Sequence, residues 1–193
     1  HRASQTFPVN LPDFEREHVK DVGFMTCMTL VLMCNYAQAG HLGGPLAYTP
    51  FCVASHLVGP ENGGLRFDYR RPKHPYSDKF MLAGGHNAPS TYAMWMIMGE
   101  ALNRKFDSTG NNKYKVDPNV VMLPIDVLGF RRGSAPLKTL LDENGLSNHP
   151  EMAQAKLRGI RALSGHSETT DLTNDVNGGP SGIGIATAAG KAA

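Results

Sequence analysis

Three histidines that each follow a glycine are the residues of this sequence best suited to proton-transfer chemistry. They are His41, His86 and His166. A glycine lets the backbone turn sharply and approach a ligand closely, and an imidazole gains or loses a proton near neutral pH. The repeated step predicts three imidazoles that point into a common cavity. A purely structural role for each histidine stays open, because 21 glycines and 8 histidines also produce such pairs by chance.

A glycine-rich segment near the end of the sequence is a second candidate for ligand binding. Residues 178–184 read Gly-Gly-Pro-Ser-Gly-Ile-Gly and precede a run of small residues that predicts a helix. Glycines expose backbone N–H groups, and the start of a helix carries partial positive charge, so the segment could cradle a diphosphate. The alternative is a turn that needs positive φ angles, since the segment lacks both common phosphate-loop spacings.

Charged residues near these motifs admit two interpretations each. Asp171 and Asp175 could bind a metal, but their loop lacks the regular alternation of a calcium loop and we favour capping roles. Glu168 is interpreted as an orienting partner of His166. The pairs 70–71 and 131–132, all arginines, are interpreted as solvated surface charge, with contact to an anionic substrate as the alternative.

Composition excludes several classes of protein. The 19 basic and 17 acidic residues are scattered without a basic run, which argues against a nucleic-acid partner. The most apolar stretch, residues 24–34, is far shorter than the about 20 residues that span a bilayer, so no membrane partner is expected. The three cysteines lack the spacing of a zinc or redox site, which favours a reducing cytoplasm.

The pattern along the chain predicts helices and short strands. We expect a helix over residues 15–39, buried on nearly all faces, and a second over 49–59 with Thr49 as its N-cap. A strand over 79–83 leads into the turn at His86 and a helix capped by Asn87 or Ser90. The remaining expectations are a surface loop over 62–76, an edge strand over 120–128, and short helices beginning at Ser134 and Pro150.

Four segments, taken in order, resemble the amino-terminal half of transketolases. Residues 39–46 are similar to the family's Ser-Gly-His-Pro-Gly-Ala-Pro-Leu turn, and residues 78–86 to its Asp-Arg-Phe-Val-Leu-Ser-Asn-Gly-His strand and turn. Residues 164–168 resemble Pro-Gly-His-Pro-Glu, and residues 179–184 resemble Gly-Pro-Leu-Gly-Gln-Gly. The resemblance covers roughly residues 17–193 and departs from the family at Leu42, Ser167, Ser181 and Ile183.

The resemblance implies an α/β thiamine-diphosphate-binding fold, in which helices flank a parallel sheet. Residues 15–193 would form an incomplete part of that domain, and residues 1–14 an extended lead-in. His41 and His166 would face the sugar hydroxyls and move protons, and His86 would join them as a catalytic residue that also lines the cofactor channel. The loop against thiamine diphosphate would be formed by Gly179, Pro180, Ser181 and Gly182.

The activity implied is transfer of a two-carbon ketol unit from a ketose phosphate to an aldose phosphate, as in the pentose phosphate pathway. The chain would act as a homodimer or with the rest of a longer chain. A first alternative is the first component of a homodimeric pyruvate (2-oxoacid) dehydrogenase complex, which has similar Gly-Gly-His and Gly-Pro-x-Gly patterns and is favoured by the long stretch between residues 99 and 166. A second is a noncatalytic interaction or structural module.

Mg²⁺ is the second cofactor that the resemblance implies. The family's Gly-Asp-Gly motif with its downstream Asn does not occur before Ala193, so no metal ligand is assigned. The partner domain that supplies the cofactor-activating glutamate is also missing. We therefore expect that this polypeptide alone neither binds the cofactor tightly nor turns over.

Overall fold

A computed structural model describes residues 16–132 and 159–193, together with residues 139, 142, 143, 145 and 148. Within these ranges lie four long helices: α1 (Val19–Ala37), α2 (Gly43–Leu57), α3 (Ala88–Thr109) and α4 (Ile183–Ala192). Short 3-10 helices occupy Arg16–His18, Pro60–Asn62, Gly85–Asn87, Asn112–Tyr114 and Pro124–Gly129. None of the described helices is both long and apolar enough to cross a membrane.

Helix α1 lies where the apolar pattern predicts it but is buried on one face only. The buried positions recur at the spacing of a single helix face: Val22, Thr26, Leu30, Met33 and Cys34. On other faces Phe24 is 68% exposed and Leu32 is 59% exposed. The expectation of burial on nearly all faces was therefore wrong, since apolar residues in a sequence do not reveal how many neighbours a helix has.

Aromatic residues against α3 form the centre of the core. The Trp95 ring of α3 lies 4.9 Å from the ring of Phe67 and 5.3 Å from that of Tyr69, measured between centroids. Both partners are buried and belong to the segment over 62–76 that was expected to lie on the surface. The segment is a loop, as predicted, but it is anchored in the core by these two rings.

The predicted parallel sheet was wrong. Helix is the main regular structure of the described residues, at 55%, and they show only two isolated bridges, Phe130 to Leu163 and Ser167 to Gly178. Residues 79–83 form no strand, and a loop bonds the backbone of Phe80: Phe80 N donates to Asp175 Oδ2 at 2.8 Å, and Asp175 N donates to Phe80 O at 2.9 Å. A short apolar run indicates burial but does not determine whether the chain pairs with a neighbouring strand.

The edge strand over 120–128 is replaced in part by the 3-10 helix Pro124–Gly129. Pro124 fits the first position of a helix, where a missing N–H costs nothing. The buried Asp126 carboxylate accepts from Leu123 N at 2.9 Å and from Arg161 N at 3.0 Å. This carboxylate therefore links the helix to the segment that precedes His166.

Helix boundaries near the histidines also differ from prediction. Helix α2 begins at Gly43, and Thr49 lies inside it with its hydroxyl donating to Pro45 O at 2.9 Å. Helix α3 begins after Asn87, which lies at the N-cap position as predicted but makes no side-chain capping bond. Ser90 Oγ instead donates to Pro45 O at 2.6 Å. The lead-in over 1–14 and the helices expected from residues 134 and 150 lie outside the described residues.

Candidate active site

The three glycine-linked histidines lie together although they are far apart in the sequence. The His41 ring centroid is 5.5 Å from that of His86 and 5.6 Å from that of His166, both in edge-to-face arrangements. His41 therefore stands between the other two. Three groups that can donate or accept a proton around one point form an arrangement suited to acid–base chemistry.

His41 and His86 are positioned by close backbone packing at the ends of helices. His41 lies between α1 and α2, after Gly40, whose φ of +137° is open only to glycine without strain. His86 lies in the 3-10 turn before α3 and packs on Gly44 of α2. A Cβ on Gly44 would stand 2.9 Å from both His86 Nε2 and Asn87 Oδ1, so a larger residue would force these side chains to shift.

His166 is positioned by a buried pair of polar side chains, Tyr92 and Asp171. The Tyr92 hydroxyl of α3 donates to the Asp171 carboxylate and lies 3.3 Å from His166 O. Asp171 Oδ2 also accepts from Glu168 N at 2.9 Å, a local capping contact. Burial raises the Asp171 pKa, because desolvation outweighs the hydrogen bonds from Tyr92 and Glu168. The loop that carries His166 is thus fixed to the core helix.

The glycine-rich segment packs directly on the turn that carries His86. Gly182 N donates to Ala83 O at 2.7 Å, and a Cβ on Gly85 would stand 1.7 Å from Gly178 O. Gly178 N donates to Ser167 O at 2.9 Å, next to His166. The second candidate motif therefore meets the first one in space.

A cavity of about 390 Å³ opens beside His166. Its lining combines the histidine loop with the start of the glycine-rich segment and of α4: Ser164, His166, Ser167, Glu168, Asn177, Gly178, Gly179 and Ile183. Of the four predicted cofactor-loop residues, Gly179 lines this cavity. Pro180, Ser181 and Gly182 are exposed and are not part of the lining.

The electrostatics of the cluster favour a neutral imidazole at its edge. Burial lowers the pKa of His166, and electrostatic repulsion from His41, Arg131 and His86 lowers it further. His166 is therefore neutral near pH 7 and can accept a proton. Glu168, expected to orient His166, instead accepts a hydrogen bond from the Thr170 hydroxyl at 3.3 Å.

The carboxylates near the site serve the structure. Asp171 bonds Tyr92, and Asp175 bonds the backbone of Phe80 and forms long ion pairs of 3.8 Å with Lys73 and 4.0 Å with Lys79. No group of three or more ligating side chains within the described ranges is arranged to hold a metal ion.

Sequence reasoning missed the residues that hold the histidines in place. Tyr92 carried no motif, Asn87 was named only as a helix cap, and Gly44 only as part of the turn over 39–46. Their contacts cross long stretches of sequence. One signal was available for Tyr92: it lies on the apolar face of α3, and a buried tyrosine hydroxyl requires a hydrogen-bond partner.

Comparison of the sequence with known proteins assigns the chain to no family. No protein-family model matches the chain, and no curated protein matches it significantly.

Proposed function

We propose that this chain forms the sugar- and cofactor-facing part of a thiamine-diphosphate-dependent enzyme of the transketolase type. Such an enzyme transfers a two-carbon ketol unit from a ketose phosphate to an aldose phosphate. The observation that carries the proposal is the meeting of His41, His86 and His166 beside residues 178–184. Chance likeness in four short segments would not require them to meet in space. The proposal rests on this site and not on the fold class.

The residues present fit thiamine diphosphate in two respects. The space above Gly179 is open, and the cavity it lines, about 390 Å³, lies in the size range of small-molecule sites. Asn87 Oδ1, beside His86, is buried and has no hydrogen-bond partner among the described residues, so one acceptor next to the histidines is left unsatisfied. Thiamine diphosphate would supply the nucleophilic carbon and the electron sink for cleaving a ketose. No role is assigned to Mg²⁺, because the described residues offer it no ligand group.

The histidines would move protons during the transfer. His166, neutral near pH 7, would accept a proton from a hydroxyl of the donor sugar. His41, between the other two rings, would receive or return a proton on the neighbouring oxygen. His86, packed on Gly44, would orient the reacting end of the sugar.

Two further features suit this setting. Cys27, Cys34 and Cys52 are free thiols, as a reducing cytoplasm would keep them. The exposed apolar side chains of α1, Phe24 and Leu32 among them, would be covered by a second copy of the chain or by the rest of a longer one.

The test is an assay of two-carbon transfer by the protein that carries this chain. With thiamine diphosphate and Mg²⁺, we expect it to convert a ketose phosphate and an aldose phosphate to new sugar phosphates. His166→Gln should lower kcat by about 10²- to 10⁴-fold, the usual effect of losing a general acid–base group. His18→Gln, at an exposed position before α1, is the matched control and should leave kcat unchanged.

Calorimetric titration with thiamine diphosphate separates the alternatives. Binding together with decarboxylation of pyruvate in place of sugar transfer would favour the 2-oxoacid dehydrogenase component. Absence of cofactor binding by the intact protein would overturn the proposal and favour a noncatalytic module.

A further inference from the structure

A second concave region lies apart from the histidines. It is an open groove of about 730 Å³ that shares no lining residue with the histidine cavity. Three of its seven lining residues are cations, and one is an anion. The lining consists of Arg70, Arg71, Asn112, Lys115, Val116, Asp117 and Pro118.

A single buried carboxylate fixes both arginines of the groove. Asp68 is fully buried. Its Oδ1 accepts from Arg70 Nε at 3.0 Å, and its Oδ2 accepts from Arg70 Nη2 at 3.1 Å. Arg71 Nε and Nη2 both lie 3.3 Å from Oδ2. One negative charge thus orients two guanidinium groups.

The arginines differ in what remains available to a ligand. Arg70 is held further by a bond from Nη1 to Lys113 O at 2.7 Å, and its side chain is 21% exposed. The Arg71 side chain is 50% exposed. A guanidinium carries five N–H donors in a planar fork, so Arg71 keeps donors beyond the two that face Asp68.

The groove keeps a surplus of positive charge. Arg70, Arg71 and Lys115 contribute three positive charges, against the negative charges of Asp68 beneath them and Asp117 on the rim. Asp117 Oδ1 accepts from Asn119 N at 2.9 Å and from Asn119 Nδ2 at 3.1 Å, so its charge is partly satisfied within the loop.

We propose that this groove binds the phosphate or diphosphate group of a small phosphorylated molecule. Guanidinium forks that are already oriented match phosphate oxygens, and their fixed geometry reduces the entropy lost on binding. Pro118 supplies an apolar surface beside these cations that the rest of the ligand would contact. A volume of about 730 Å³ suits a small molecule, and a polymeric anion would need cations extending beyond these three.

Titration of the intact protein with inorganic pyrophosphate, without Mg²⁺, tests this site by calorimetry at low and physiological salt. Lys115→Gln leaves the Asp68 contacts intact and should weaken binding about tenfold, as should Arg71→Gln, because each removes a charge-assisted contact. Asp117→Asn keeps an oxygen for Asn119 and should tighten binding several-fold, since it removes the negative charge from the rim.

Two controls make the result specific. Arg104→Gln removes one exposed cation from α3 and should change binding less than twofold. His166→Gln should likewise leave pyrophosphate binding unchanged. Loss of binding in His166→Gln but not in Lys115→Gln would assign the anion to the histidine cavity and overturn the groove proposal. Equal weakening by Arg104→Gln and Lys115→Gln, or no binding at low salt, would also overturn it.

Discussion

Around Trp95 the chain is packed by large side chains, whereas around His86 it is packed by glycines. Trp95 meets Phe67 and Tyr69 through ring contacts within the apolar core. His86 meets Gly44, where any larger residue would collide with it. The core is therefore stabilised by large side chains that fill it, whereas the histidine site requires a glycine that leaves room for the His86 ring. The two regions should respond oppositely to truncation and to added atoms.

Truncation in the core should have the largest effect. Trp95→Ala should lower the free energy of unfolding by about 3–5 kcal/mol, because it removes transfer free energy and leaves a cavity between Phe67 and Tyr69. Urea unfolding followed by circular dichroism measures the change.

The matched truncation is Phe24→Ala on the exposed face of α1, which should cost no more than about 0.5 kcal/mol. Similar losses in both variants would mean that the ring cluster is not the centre of stability.

Acid should weaken the core through a buried histidine. His56 is fully buried against Phe67 and Phe80, with Nδ1 2.8 Å from Cys52 O. Burial lowers its pKa from 6.5 to about 4. The unfolded chain takes up this proton as pH falls through 6.5, and the folded chain does so only near pH 4. Stability is therefore complete above pH 6.5 and falls by about 3 kcal/mol towards pH 4.

The variant His56→Gln isolates this term from the carboxylates that also titrate. Its unfolding free energy, measured in urea from pH 7.5 to pH 4, should be lower than that of the parent at neutral pH. The difference between the two proteins should shrink as pH falls. A constant difference across this range would contradict the role assigned to His56.

Individual helices and turns could be predicted from the sequence better than the segments that pack against them. The run of apolar residues predicted the helix α1, and the Gly-Gly-His step predicted the turn before α3, because both features depend on residues that are adjacent in the sequence. The sheet that the resemblance implied was wrong, and residues 79–83 were wrongly predicted to be a strand. An apolar run of five residues has no feature that distinguishes a partner strand from the Asp175 loop that actually bonds Phe80.

The site shows the same limit. The Gly-His repeat singled out His41, His86 and His166, since the chemistry of a side chain can be read one residue at a time. Their supports could not be found that way. The contact of Tyr92 with His166 O spans 74 positions, and the need for Gly44 appears only when α2 meets the His86 turn.

A methyl group added at Gly44 should disturb the histidine site, whereas one added at the neighbouring Gly43 should not. Gly44→Ala places a methyl group 2.9 Å from His86 Nε2, so the ring or the start of α2 must move, at a cost of about 1–3 kcal/mol. Gly43→Ala is the matched control, because a Cβ there meets nothing within 4 Å. Urea unfolding and the NMR shifts of the histidine rings should change in Gly44→Ala and stay nearly constant in Gly43→Ala. Equal behaviour would refute the close packing.

The smallest effect is expected where the two regions join, at Tyr92. Its ring is buried in the core, and its hydroxyl reaches Asp171 and His166 O. Tyr92→Phe keeps the ring and leaves Asp171 with the bond from Glu168 N, so the free energy of unfolding should fall by about 1–2 kcal/mol.

The His166 ring should report the change beyond what stability alone shows. Without the hydroxyl, the loop loses its hydrogen bonds to Tyr92, and the His166 NMR signals should shift more than those of His41. Tyr76→Phe, at an exposed position, should alter neither stability nor the ring signals. If Tyr92→Phe destabilises the protein but leaves the His166 signals in place, the hydroxyl supports the core and not the site. The glycine contacts would then be sufficient to position the histidines.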